Sequence, residues 1–225
     1  MPPFANSIPS PRWIATGLLA AALCVPLPSF AGEVIDIAAA RALPLGTVVT
    51  VEGSVTVPSG TFSSSTFDEG FAIQDETAGI FVSIAADLHL GLRQRVRVTG
   101  PLADNGHGVL TVVPADAGDV EEDGGGRRVV PRREATGEIS NATQGLLVRV
   151  EGTITQPISP DPPFGTIIEI DDGSGPIRIF VCTSTGIDLS GLAPGQRLGV
   201  TGLSYTFGDS EVDPRFQRDL HPHEH

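Results

Sequence analysis

The residues of this chain best suited to chemistry are arginines and aromatic rings. Arg93, Arg95 and Arg97 alternate along the sequence. In an extended segment that spacing sends all three side chains to one face. Together with Arg197 they would make a stripe able to follow a row of phosphates. Phe62, Phe67, Phe164, Tyr205 and Phe207 fall in segments expected to connect strands. Exposed rings in such places serve as stacking platforms, and rings plus cations are what a single-strand nucleic-acid groove is made of. Both features also have a plainer explanation. The arginines would equally make a solvated strand face balanced by nearby Asp and Glu, and the rings would equally seal the ends of a small barrel.

Other reactive residue types do not assemble into a catalytic set. Cys182 follows Phe180 and Val181 with no His near it, the setting of a small core residue. His89 and His107 stand alone. Asp171-Asp172-Gly173-Ser174-Gly175 has carboxylates before a glycine turn but lacks the regular spacing of a calcium loop. Asp68-Glu69 and Asp75-Glu76 read as turn residues. The His221-Pro222-His223-Glu224-His225 tail has no folded frame to organise a metal. The expectation is a protein with no catalytic residue, no metal site and no cofactor.

Charge narrows the partners. Fourteen basic residues, all Arg, stand against 27 acids, for a net charge of -13. A balance this acidic excludes a polybasic coat for nucleic acid or anionic membrane. Any phosphate binding would rest on local arginines and weaken steeply with salt.

The chain opens with a short apolar run, Ile14 to Leu23, preceded by Arg12 and broken by Pro26 and Pro28. It is too short to span a bilayer and reads as a signal peptide, with Ser29-Phe30-Ala31 as the cleavage site. Export to the periplasm or the medium follows. Cys24 offers a lipoprotein alternative, against which stands the bulky Leu23 before it.

The remainder repeats. Val49-Thr50-Val51-Glu52-Gly53-Ser54-Val55-Thr56 returns as Val148-Arg149-Val150-Glu151-Gly152-Thr153-Ile154-Thr155. Ile73-Gln74-Asp75 returns as Ile170-Asp171-Asp172, and Phe81-Val82 as Phe180-Val181. Gln94 to Gly100 returns as Gln196 to Gly202. A period near 100 is a whole domain. Each copy reads as five strands: in the first, Val49–Val57, Gly70–Asp75, Gly79–Ile84, Arg95–Gly100 and Val109–Val113, with room for one helical turn in Ala85–Leu92. In the second they are Leu147–Thr155, Thr166–Ile170, Ile177–Cys182, Arg197–Gly202 and a poor last strand near Asp209–Asp213. Gly53, at the centre of an alternating strand, predicts a bend or bulge there.

A long bent first strand followed by four more predicts an all-β chain of two tandem OB-fold-like five-stranded barrels. The expected divisions are a leader 1–31, barrels 32–118 and 137–220, a charged Gly-rich linker 119–136, and a tail 221–225. The run Arg41 to Gly53, with Phe71-Ala72-Ile73-Gln74-Asp75, Gly79-Ile80-Phe81-Val82 and Gln94 to Gly100, resembles the OB-fold modules of bacterial extracellular nucleases and related secreted proteins. The resemblance implies binding of single-stranded nucleic acid without catalysis, since the separate catalytic domain of those nucleases has no counterpart here. The alternative is a structural or protein-protein interaction module of the periplasm or cell envelope, for which the acidic surface favours a basic protein partner over a polyanion.

Overall fold

The computed structural model describes residues 32–62 and 70–223. The leader, its cleavage site and Phe67 lie outside the described residues. The first copy comprises β1 (Val34–Ile35), α1 (Ile37–Arg41), β2 (Val48–Val57), β3 (Phe71–Gln74), β4 (Gly79–Val82), β5 (Gln94–Asp104), β6 (Leu110–Val112) and β7 (Val120–Gly125). The second comprises β8 (Arg132–Arg133), β9 (Leu147–Ile154), β10 (Ser159–Asp161), β11 (Gly165–Asp171), β12 (Ile177–Cys182), β13 (Arg197–Phe207), β14 (Asp209–Asp213) and β15 (Leu220–Pro222).

In the first copy the strands close in the order β2-β3-β4-β6-β5 and back to β2. Antiparallel pairing holds throughout except for the parallel β4–β6 pair. In the second copy β9-β11-β12-β14-β13 closes in the same way, with β12–β14 parallel. This is the five-stranded Greek-key barrel of the OB-fold, built twice. The bend expected at Gly53 explains the closure. Val48–Ser54 pair with β5, and Ser54–Val57 turn to pair with β3. A Cβ on Gly53 would sit 3.0 Å from the backbone of Gln74, so only glycine admits the crossing strand. Gly152 plays the same part against Asp171.

Composition marks 119–136 as a connector, yet two of its stretches, Val120–Gly125 and Arg132–Arg133, are strands. β7 pairs with β5, and β8 pairs in parallel with β9 as β1 does with β2. β15 flanks β13 at the edge equivalent to the one β7 occupies on β5, placing His221 in a strand. The acids of β7 find their partners on β5: Arg97 lies 3.6 Å from Glu121, Arg95 lies 3.8 Å from Asp123, and Gln94 Nε2 donates to Glu122. Opposite charges on adjacent strands thus hold a segment that looks like solvated coil in isolation. The Ala85–Leu92 stretch contains no helical turn; Asp87 Oδ1 accepts from the His89 amide and His89 takes φ 54. The one α-helix among the described residues is α1.

Each barrel has its own apolar core, Val51, Ile73, Ile80 and Val98 in the first and Val150, Ile168, Ile179 and Val200 in the second. A third cluster crosses between them: Val57, Ala72, Phe81, Val109 and Leu203, with Phe62 and Tyr205 against it. Glycines let the two backbones touch. A Cβ on Gly79 would lie 1.9 Å from the Gly145 carbonyl oxygen. Gln144 Nε2 donates to the Gly108 carbonyl at 2.8 Å and to Thr206 at 3.0 Å. The buried Arg215 donates to the Thr56 carbonyl while Asp219 holds its guanidinium through two further bonds.

Candidate ligand cleft between the barrels

The rings and the arginines part company in three dimensions. Phe62, Phe164, Tyr205 and Phe207 line one cleft of about 1290 Å³ between the barrels, joined by Phe81 and Phe180. None of Arg93, Arg95, Arg97 and Arg197 lines it.

The cleft forms where both barrels present the same loops. The β2–β3 connection supplies Phe62, and the β5–β6 connection supplies Asn105 and His107. From the second barrel come Phe164 after β10 and the β13–β14 hairpin. These are the loops with which an OB-fold holds oligomeric ligands, and here the two sets face each other. Tyr205 and Phe207, expected in a loop, lie on β13 itself, because the hairpin turns tightly at Gly208 with φ 75 and pairs Phe207 with Asp209. The rings are fixed in place. Phe207 stacks on His107 with centroids 4.2 Å apart, and Tyr205 meets Phe81 edge-on at 5.9 Å. Asn105 Nδ2 donates to the Tyr205 hydroxyl at 3.1 Å. Phe164 and Phe207 remain 43% and 52% exposed, so two faces stand open at the mouth.

The arginine stripe is neutralised where it stands. Arg95 and Arg97 both bind Glu52 on the neighbouring β2, and the acids of β7 flank them on the other side. Arg93 precedes β5 with φ 68, outside the strand, so it does not share the face that alternation assigned to it. Arg197 approaches Glu151 at 3.8 Å. Of the linker arginines, Arg127 pairs with Glu76 and Arg132 with Glu134, not with the acidic run that precedes them.

What sequence reasoning missed is the charge inside the cleft. Glu211 and Asp213 on β14 are 2% and 4% exposed, and both line it beside Arg178 of β12. Arg178 Nε donates to Glu211 Oε2 at 2.6 Å and Nη2 to the Phe207 carbonyl at 3.3 Å. Burial pushes the Glu211 carboxyl up to about 7 against the pull of Arg178. Burial, then Glu211, then the Cys182 thiol raise Asp213 well above the usual carboxylate range. Asp213 Oδ1 has no hydrogen-bond partner among the described residues. Cys182 is buried beside it, its Sγ 3.1 Å from Ser184 Oγ. The signal available in the sequence was the spacing of two acids around Val212, which puts both on one face of a strand.

Elsewhere, Asp172 is a turn residue. Hydrogen bonds from Ser174 and Thr136 hold its carboxyl well below the usual range. No group of three or more His, Cys, Asp or Glu positioned to hold a metal occurs among the described residues. Nor is any helix among them long and apolar enough to cross a membrane.

No protein-family model matches the chain, and no curated protein matches it. Several solved structures are similar to the chain at low identity. A murine DNA binding protein bound with ds DNA is 14% identical over 73% of this chain and 90% of that one, with a TM-score of 0.37. Fission yeast Pot1 with ssDNA is 10% identical over 86% and 90%, at 0.39. The OBody AM1L10 bound to hen egg-white lysozyme is 16% identical over 44% of this chain and all of that one, at 0.36. The strand order, not these likenesses, assigns the all-β, double-barrel OB architecture.

Proposed function

We propose that this chain is an exported, non-catalytic binding protein that takes an extended segment of another protein into the cleft between its barrels. The observation that carries the reading is the convergence of both barrels' ligand loops on one ring-lined cleft. Its size suits an extended chain several residues long. The charge lining it favours peptide over polyanion: Asp116, Asp161, Glu211 and Asp213 stand against Arg178. Export rests on the leader, and the non-catalytic reading on the sequence, whose reactive residue types form no recognisable catalytic motif.

A second reading, binding of single-stranded oligonucleotide as in the resembling nuclease modules, draws support from the rings, since any base stacks on any ring. The arginine stripe lends it little, being paired with acids.

Fluorescence anisotropy of the purified protein against labelled oligothymidylate and a labelled peptide of alternating Phe and Ser, at low and physiological salt, separates the two. Peptide binding lost in Phe164→Ala and Phe207→Ala variants is the expected result. Binding of oligothymidylate alone, falling steeply with salt and with Arg95→Ala, would replace the first reading by the second.

A further inference from the structure

The two copies of the repeat provide an internal comparison. Ile73 and Ile170 correspond in the repeat and pair with Ile80 and Ile177. The ladder therefore makes Phe81 equivalent to Arg178, two places before the Phe180 that sequence alignment suggests. Gly100 and Gly202 correspond likewise, and each lies against the carbonyl of one residue across the ladder, Val113 and Asp213. Thr111 pairs with Ala103 as Glu211 pairs with Tyr205. Where the second barrel holds Arg178, Glu211 and Asp213, the first holds Phe81, Thr111 and Val113. The OB barrel is thus built without charge at these positions, and the three charged residues answer to something other than the fold.

What they lack is a positive charge. Two buried carboxylates face one guanidinium, which is spent on Glu211 Oε2 and on the Phe207 carbonyl. Asp213 keeps an oxygen with no partner while 96% removed from solvent, given its exposure of 4%. The groups facing it are Glu211 on its own strand and Arg178 and Cys182 from β12. Tyr205 and Phe207, which pair across the ladder with Glu211 and Asp209, bring aromatic faces to the same wall. Carboxylate plus aromatic face is the combination that recognises ammonium and guanidinium groups.

We infer that the buried carboxylates lining the cleft, Asp213 and Glu211, receive the cationic side chain of an arginine or lysine in the bound peptide. The inference rests on the peptide-binding reading and specifies the residue read. The unliganded site carries a proton on the carboxylate pair; the entering cation displaces it to solvent, and the buried charge stays balanced.

The test is calorimetric titration of the full protein with acetyl-Phe-Arg-Phe amide and with the same peptide carrying citrulline, the neutral isostere. The arginine peptide should bind about tenfold tighter or more, as a charge-assisted bidentate contact in a desolvated site requires. Its heat should differ between buffers of different ionisation enthalpy, reporting proton release at pH 7. Asp213→Asn should abolish both the preference and the proton release while still binding both peptides; a thermal melt like that of the parent confirms its fold. Equal binding of the two peptides, with both lost in Phe207→Ala, would overturn this inference and leave the cleft reading standing. Failure of both peptides to bind would overturn the two together.

Discussion

The buried acids make a stability prediction that needs no ligand. Glu211 ionises near 4.5 in an unfolded chain and near 7 in the fold. Asp213 moves in the same direction. A carboxyl whose pKa is raised by folding binds its proton more tightly in the native state. Stability is therefore full below the unfolded pKa and falls as pH rises through the folded value. The shift of Glu211 corresponds to about 3 kcal/mol lost between roughly pH 5 and pH 8. In a chain of this length that is a drop in Tm of roughly 6–12 °C. Asp172, whose carboxyl is held low, acts in the opposite sense, but only below about pH 4. Thermal melts from pH 5 to pH 8 read the effect directly. Asp213→Asn removes one of the two ionisations without changing shape, so its decline should be shallower and its Tm at pH 8 at least that of the parent. A profile that is flat or rising across this range, or an Asp213→Asn variant less stable at pH 8, would refute the account of two acids buried beside a single arginine.

Replacing Arg178, Glu211 and Asp213 by the Phe, Thr and Val of the first barrel should stabilise the protein by about 1–4 kcal/mol in urea denaturation, since well-packed apolar residues often outperform buried charges. The same triple variant should bind the arginine and citrulline peptides equally in the titration above, since the rings of the cleft remain. Asp219→Ala strands the Arg215 guanidinium, which is 7% exposed, and should cost about 3–5 kcal/mol by the same denaturation measurement. Gly79→Ala drives a methyl into the Gly145 carbonyl, so the barrels must move apart. Limited proteolysis should then cut between Arg127 and Arg133, where the parent resists. Arg95→Ala with Arg97→Ala should leave peptide affinity within about twofold, because both arginines are paired with Glu52 far from the cleft lining.

The repeat made the fold legible. Glycines at 53 and 152, alternating valines and the Gln-Arg runs are residues that the barrel itself demands, so they recur wherever the barrel does. Loop rings were also legible: four of the five nominated aromatics meet in one cleft because both copies send the same connections to the same side. The arginine stripe and the acidic linker were each visible, but read apart. Only the ladder register shows that Arg95 and Arg97 are the counter-charges of β7, separated from it by a chain reversal that no local pattern encodes. The burial of the β14 acids was illegible for a related reason. Asp209 to Asp213 beside Pro214 has the composition of an exposed turn. Its burial comes from β13 across the hairpin and from β12, which is distant in sequence.

The position of the charge also bears on why there are two barrels. One OB barrel offers a concave face open to water, where a ring such as Phe207 would stack on nothing. Setting the second barrel opposite closes the face. Phe81 and His107 from the first copy meet Tyr205 and Phe207 from the second. Gln144, Arg215 and the Gly79–Gly145 contact fix the separation. The cleft is therefore formed before a ligand arrives, and little ordering is left for binding to supply. Duplication also freed one copy from symmetry. The first supplies apolar wall at Phe81 and Val113, while the second carries the charge. Discrimination then falls to the buried acids, and grip to the rings.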